Sequence, residues 1–193
     1  MFQFTHEVDS SKPLDLTTYN PPDVDDRSGL PLSQGYVFTL FATVAGDHLP
    51  EQMLEQLRQV EQQAWYKGQV LEDLLTILEQ RDPGLPGLIG KNMYYLLGPQ
   101  YRAMGLNTAE EVLRATPGLW VQVARGDAGE WRLLELGKGH AVLEVEQPYN
   151  CLFEASSIVG ALEAFDATEI HLTHSPCMRD GSPCCRLEVR WQS

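Results

Sequence analysis

The chain has 193 residues, enough for one domain with a real hydrophobic core, and its 43% apolar and 9% aromatic content is that of a globular protein. Fourteen Lys and Arg stand against 27 Asp and Glu, a formal charge of −13. That balance argues against unassisted binding to nucleic acid or to an anionic membrane surface, both of which need cations facing phosphates, and leaves a cationic partner or a neutral small molecule.

The opening residues MFQFTHEVDS carry neither a basic region nor an unbroken apolar run, and no later segment offers 18 apolar residues in a row. The expectation is therefore a cytoplasmic protein without a membrane span. In a reducing compartment its four cysteines are free thiols or metal ligands rather than disulfides.

Residues 1–34 form an extension with Pro13, Pro21, Pro22 and Pro31 and a small acidic run at Asp23, Asp25 and Asp26. Phe2 and Phe4 within it are candidates for anchoring an edge strand or a partner contact. Residues 35–193 read as a single domain. Its first segment, Gly35 to Gly46, is apolar on nearly every side; periodicity alone does not separate helix from strand there, and the helical segments that follow favour a helix.

Pro50 stands at a plausible first helical position, after which Met53, Leu54, Leu57, Val60, Ala64 and Trp65 recur at helical spacing. Gly68 interrupts or bends that run, and Val70, Leu71, Leu74, Leu75, Ile77 and Leu78 resume it until Asp82-Pro83-Gly84. Gly87 to Leu97 predict another apolar helix containing Met93, Tyr94 and Tyr95. Thr108 and Glu111 make a capping box that opens a short helix, closed by Pro117 and Gly118.

From there the period changes to two. Leu119, Val121 and Val123, then Trp131, Leu133 and Glu135, then Ala141, Leu143 and Val145 alternate as strands. Asn150 caps a helix from Cys151 to Phe165, in which Gly160 marks a close approach by the sheet or a ligand. Glu169 to His174 and Cys184 to Trp191 are two further strands. The predicted class is α+β: N-terminal helices packed on a C-terminal antiparallel sheet with one inserted helix.

No dinucleotide-binding glycine pattern, phosphate loop, zincin motif or serine-hydrolase elbow is present. Ser156 and Ser157 have no base placed by spacing, and the carboxylates look surface-patterned, so an enzyme is not the favoured reading. Strand phase places Cys185, Leu187, Val189 and Trp191 on the apolar face and Cys184 on the wetter one. If the two last strands pair through the turn at Asp180 and Gly181, His174, Cys177 and Cys185 converge, and Cys151 completes four ligands of the kind zinc accepts. The helix N-terminus is expected to lower the pKa of Cys151.

Cys151, Gly160, then Cys177-x-x-x-Gly181-x-x-x-Cys185 and the alternating run to Trp191 resemble the 4-vinyl reductase-type small-molecule-binding domain. That domain occurs in bacteriochlorophyll biosynthesis proteins and in sensory modules of aromatic-responsive activators, and is distantly like trafficking-complex subunits and haem nitric-oxide-binding domains. The resemblance covers Gly118 to Trp191. It implies a zinc held by three cysteines, matching Cys151, Cys177 and Cys185, and a glutamate; this chain has Leu172, Thr173 and His174 near that place, with His174 the substitute and Glu169 a remote alternative.

It further implies an apolar ligand between helices and sheet, a homodimer and a protein partner that receives the signal. Trp65, Met93, Tyr94 and Tyr101 are the candidate pocket residues. The expected cofactor is zinc. Haem is disfavoured, because a Tyr-x-Ser-x-Arg motif is absent and none of His6, His48, His140, His171 and His174 falls within the central helices. The leading expectation is a sensory or carrier domain for a hydrophobic molecule. An adaptor without a ligand, a tetrapyrrole-related auxiliary enzyme and a haem-based sensor are the alternatives.

Overall fold

The computed structural model describes residues 7–193, so Phe2, Phe4 and the contact expected of them lie outside the described residues. The chain opens with β1 (Thr18–Tyr19) and β2 (Leu32–Gln34), followed by α1 (Gly35–Ala45), α2 (Glu51–Leu57) and β3 (Trp65–Lys67). The apolar segment after Gly35 is a helix, with Phe38, Phe41 and Ala45 on its buried side.

The predicted helix through Trp65 ends instead at Leu57, with Pro50 as its cap residue rather than inside it. Trp65 and Tyr66 belong to β3, which pairs antiparallel with both β1 and β2. Aromatic residues suit a pleated strand, and pairing on both edges outweighs the local helical period. β2 also pairs with β4 (Ala124–Arg125), giving a small sheet in the order β1-β3-β2-β4.

Four helices lie between β3 and β4: α3 (Gly68–Arg81), α4 (Leu85–Leu96), α5 (Gly98–Ala103) and α6 (Ala109–Val123). The capping box is present, with the Glu111 amide donating to Thr108 Oγ1 and Glu111 Oε2 accepting from the Thr108 amide. Its helix does not stop at Pro117, however, and Leu119, Val121 and Val123 are helical rather than a strand. Proline removes one backbone donor from a helix interior. Just before it, Thr116 Oγ1 donates to the Val112 carbonyl, and Trp120 anchors the final turns against Trp131 and Tyr149, at ring separations of 6.2 and 5.8 Å.

The second sheet is formed by β5 (Glu130–Gly137), β6 (His140–Glu146), β7 (Thr168–His174) and β8 (Cys185–Gln192), in the antiparallel order β5-β6-β8-β7. Its inserted helix, α7 (Cys151–Glu163), is capped by Asn150, whose Oδ1 accepts from the amides of Leu152 and Phe153. The architecture is the α+β arrangement of N-terminal helices on a C-terminal antiparallel sheet.

The tightest helix pair is α4 with α7. A Cβ on Gly160 would collide with the Lys91 carbonyl, and one on Gly90 with the Phe153 carbonyl, so a glycine on each helix lets the two backbones touch. The close approach expected at Gly160 is therefore made by α4, not by the sheet or a ligand.

Candidate functional site

Two features meet at α7. The first lies at its N-terminus, where the hairpin of β7 and β8 folds back. Val145 of β6 faces Cys185, and His174 of β7 faces Leu187, which brings the ends of the two strands beside Cys151. One ligand atom from each of Cys151, His174, Cys177 and Cys185 lies within 4.8 Å of the others. Cys184 is outside that group, and Glu169, on the exposed side of β7, is hydrogen-bonded to Gln192.

The Sγ atoms of Cys151 and Cys185 are 3.5 Å apart, and the Met178 amide donates to Cys185 Sγ at 3.3 Å. The sulfur contact with Cys151, together with the Met178 amide, pulls the Cys185 thiol pKa down. The same sulfur contact and burial push that of Cys151 up. This corrects the expectation that the helix N-terminus would make Cys151 the acidic thiol: a neighbouring sulfur at contact distance outweighs a partial dipole charge. Burial lowers the pKa of His174, and its Nε2 is enclosed without a hydrogen-bond partner among the described residues. Three thiols and a neutral imidazole form a donor set for a thiophilic ion.

Arg179, between Cys177 and Cys185, ties this corner to α3. Its guanidinium reaches Glu79 at 2.7 Å and the fully buried Glu72 at 3.2 Å, while Asn150 donates to Glu79 at 3.3 Å. Burial raises the Glu72 carboxyl to about 8, against the pull of Arg179. The carboxylates are thus not all surface groups, as their pattern in the chain suggested; Glu72 and Glu154 are enclosed.

The second feature is a cavity of about 500 Å³ between the helical half and the sheet half. Met93, Tyr94 and Tyr101 line it, as do Trp120, Trp131, Tyr149 and the α7 face bearing Phe153, Glu154, Ile158 and Ala161. Trp65 does not; it sits on β3 with the Arg125 guanidinium 4.9 Å from its ring centre. Sequence reasoning missed Glu154 and Trp131. The spacing 154, 158, 161 along an apolar helix was the available signal, since it puts a carboxyl on the buried stripe.

The cavity is mostly apolar with isolated polar atoms. Tyr149 and Ser33 share a buried hydrogen bond of 2.6 Å. Glu154 Oε2 and Trp131 Nε1 are buried with no hydrogen-bond partner among the described residues. Burial, with Cys151 and Glu72 nearby, pushes the Glu154 pKa well above the usual carboxylate range. No His, Cys, Lys or Arg among the described residues lines it.

No protein-family profile and no curated protein matches the chain. Solved structures do. An H-NOX protein from S. oneidensis in the Fe(II)NO ligation state matches 83% of this chain and 99% of its own at 15% identity and TM-score 0.60. The Fe(II) unliganded H-NOX protein from K. algicida matches 83% and 97% at 11% identity and TM-score 0.60. A structure described as probing heme distortion in the H-NOX family matches 83% and 95% at 10% identity and TM-score 0.59. At these identities the similarity establishes a shared fold.

That finding overturns the expectation of zinc as cofactor with haem disfavoured, because the fold is one seen in Fe(II) H-NOX proteins. The absence of a short motif and of histidines in the central helices was a local argument, and it could not register a cavity assembled from distant segments. Donor side chains among the lining residues are the phenols of Tyr36, Tyr94, Tyr101 and Tyr149, whose pKa values burial pushes up, and the thioethers of Met93 and Met104. Phenolate and thioether both serve as haem ligands. Burial holds these phenols in their protonated form, which leaves the Met93 and Met104 thioethers as the donors for a haem iron among the described lining residues.

Proposed function

We propose that this chain is a sensory or carrier domain that takes a hydrophobic small molecule into the cavity between its helices and sheet, with haem among the candidates. The observation that carries the reading is the partly open, largely apolar space of about 500 Å³, a volume suited to a small-molecule ligand. The fold shared with H-NOX proteins supports it, as does the resemblance of the C-terminal third to 4-vinyl reductase-type domains. In a haem-bound form Met93 or Met104 would hold the iron, and the group would supply a coordination position for a further small ligand. The α7 face orients whatever enters.

The same reading gives Cys151, His174, Cys177 and Cys185 to a thiophilic metal ion that fastens the β7–β8 hairpin to α7. Since α7 borders both features, a ligand that shifts this helix changes the packing of the hairpin. A protein partner would read that change, and a homodimer is the proposed assembly. Among the described residues no helix is long and apolar enough to cross a membrane.

The test is titration of the protein with haemin and, separately, with the uncharged apolar dye N-phenyl-1-naphthylamine, following the emission of the cavity residues Trp120 and Trp131. Saturable quenching by either probe is the expected result; no quenching by both would sink the reading. Cobalt(II) tests the cluster: thiolate-to-cobalt absorption that disappears in Cys185→Ala is expected, and an unchanged spectrum would refute it. Sedimentation at a monomer mass across micromolar concentrations would contradict the homodimer.

A further inference from the structure

The cavity has polar atoms that its walls leave unanswered. Glu154 is only 3% exposed, lines the cavity from α7, and keeps Oε2 without a hydrogen-bond partner among the described residues. Trp131, 4% exposed on β5, leaves its indole Nε1 in the same condition. A buried polar group without a partner costs about 1–3 kcal/mol. Both residues line the same cavity, and their unanswered atoms are the ones an occupant can satisfy.

The sign of the surroundings narrows the occupant. A carboxyl lines the cavity, while no Lys, Arg or His among the described residues does. Over the whole chain the formal charge is −13, which draws cations toward the protein and repels anions. An anion in this part of the cavity would have no cationic side chain among the described lining residues to offset its charge. An amine there can take the Glu154 proton and become an ammonium held to the carboxylate by a charge-assisted hydrogen bond, a pair with no net charge.

We propose that the part of the cavity beside Glu154 is a subsite for an apolar amine, with the Glu154 carboxyl receiving the ligand's nitrogen and Trp131 donating to an acceptor elsewhere on the same molecule. The aromatic walls hold the hydrocarbon body and Glu154 selects the head group. This rests on the reading of the cavity as the ligand site and specifies the chemistry of one end of it.

Three probes of one shape test the assignment: 1-naphthylmethylamine, 1-naphthalenemethanol and 1-naphthoic acid, which present a cation, a neutral hydroxyl and an anion on the same ring. Each is titrated into the full chain with the emission of Trp120 and Trp131 as readout. Binding at least tenfold tighter for the amine than for the alcohol is expected, with the acid weakest. In Glu154→Gln, nearly isosteric, and in Glu154→Leu, the amine's advantage over the alcohol should fall to about twofold or less, while the alcohol binds each variant within a few-fold of wild type. Equal binding of amine and alcohol to the wild type, tighter binding of the acid, or an advantage that survives in both variants would overturn the subsite alone. Failure of all three probes to bind would overturn the reading of the cavity as the ligand site and the subsite with it.

Discussion

The cysteine corner and the cavity share the helix α7 and are built on opposite principles. The corner is a short-range construction: three of its four donors come from the β7–β8 hairpin, the fourth from the first residue of α7, and Arg179 and Asn150 tie it to α3. The cavity takes its walls from residues as far apart in the chain as Ser33 and Ala161 and leaves Glu154 and Trp131 with unanswered polar atoms among the described residues. The difference teaches that the corner is over-determined by its own contacts, whereas the cavity is held open by the elements around it. Perturbing either should therefore produce distinct signatures.

The largest effect is expected where the two regions depend on the same backbone contact. Gly160→Val drives a branched side chain into the Lys91 carbonyl, separating α4 from α7. Overpacking a filled contact costs about 3 kcal/mol, and more where backbone must move. Thermal unfolding should show a collapse of both regions together; a melting temperature near that of the wild type would break the claim that this helix pair is their common support.

Arg179→Met comes next, since it strips Glu72 and Glu79 of their cation without touching the cavity wall. A loss of about 2–3 kcal/mol is expected, below the usual cost of breaking a buried ion pair because burial already favours a proton on Glu72. Glu72→Gln in the same background should recover part of it. Denaturant unfolding of the single and double variants measures this, and strictly additive effects would show that the contact is not coupled.

Glu72 also sets a pH dependence. Its carboxyl pKa is raised from 4.5 to about 8 in the folded chain, so between those values the folded state holds a proton that the unfolded state has lost. Its contribution is fully present below the unfolded value of 4.5 and is lost as pH rises through about 8. Glu72→Gln should flatten that part of the stability profile. A slope unchanged in the variant would assign the dependence elsewhere.

The smallest effect belongs to a site remote from both regions. Thr108→Ala removes the side chain that accepts from the Glu111 amide and should cost about 1 kcal/mol, read by urea unfolding. Ligand affinity should not change. An equally large loss of cobalt binding or probe binding would mean that the start of α6 controls one of the two sites.

The legibility of the two regions in the chain follows from the same contrast. Alternation along β8 separates Cys185 from Cys184, and the Asp180–Gly181 turn places Cys177 and His174 beside it, so the corner is readable from local phase. Helices α3, α4 and α7 are readable too, through apolar spacing and the Asn150 cap. Trp65 misled because it follows a helical stripe yet is claimed by strand pairing on both sides of β3. Pro117 misled because Thr116 and the packing of Trp120 carry the helix past it. The cavity's polar atoms lay beyond local reading: a glutamate among apolar residues becomes informative only when residues 154, 158 and 161 are seen to face walls that arrive from other parts of the chain.

The central claim, that the space between the helical and sheet halves is the ligand site, is tested most directly by filling it. Ala161 is buried and faces the cavity from α7, so Ala161→Phe places a ring inside the space. With cobalt binding at the cysteine corner as the check that the fold is retained, N-phenyl-1-naphthylamine should bind the wild type and lose at least tenfold in affinity in the variant. Equal affinity in the two proteins would place the dye elsewhere and contradict the account.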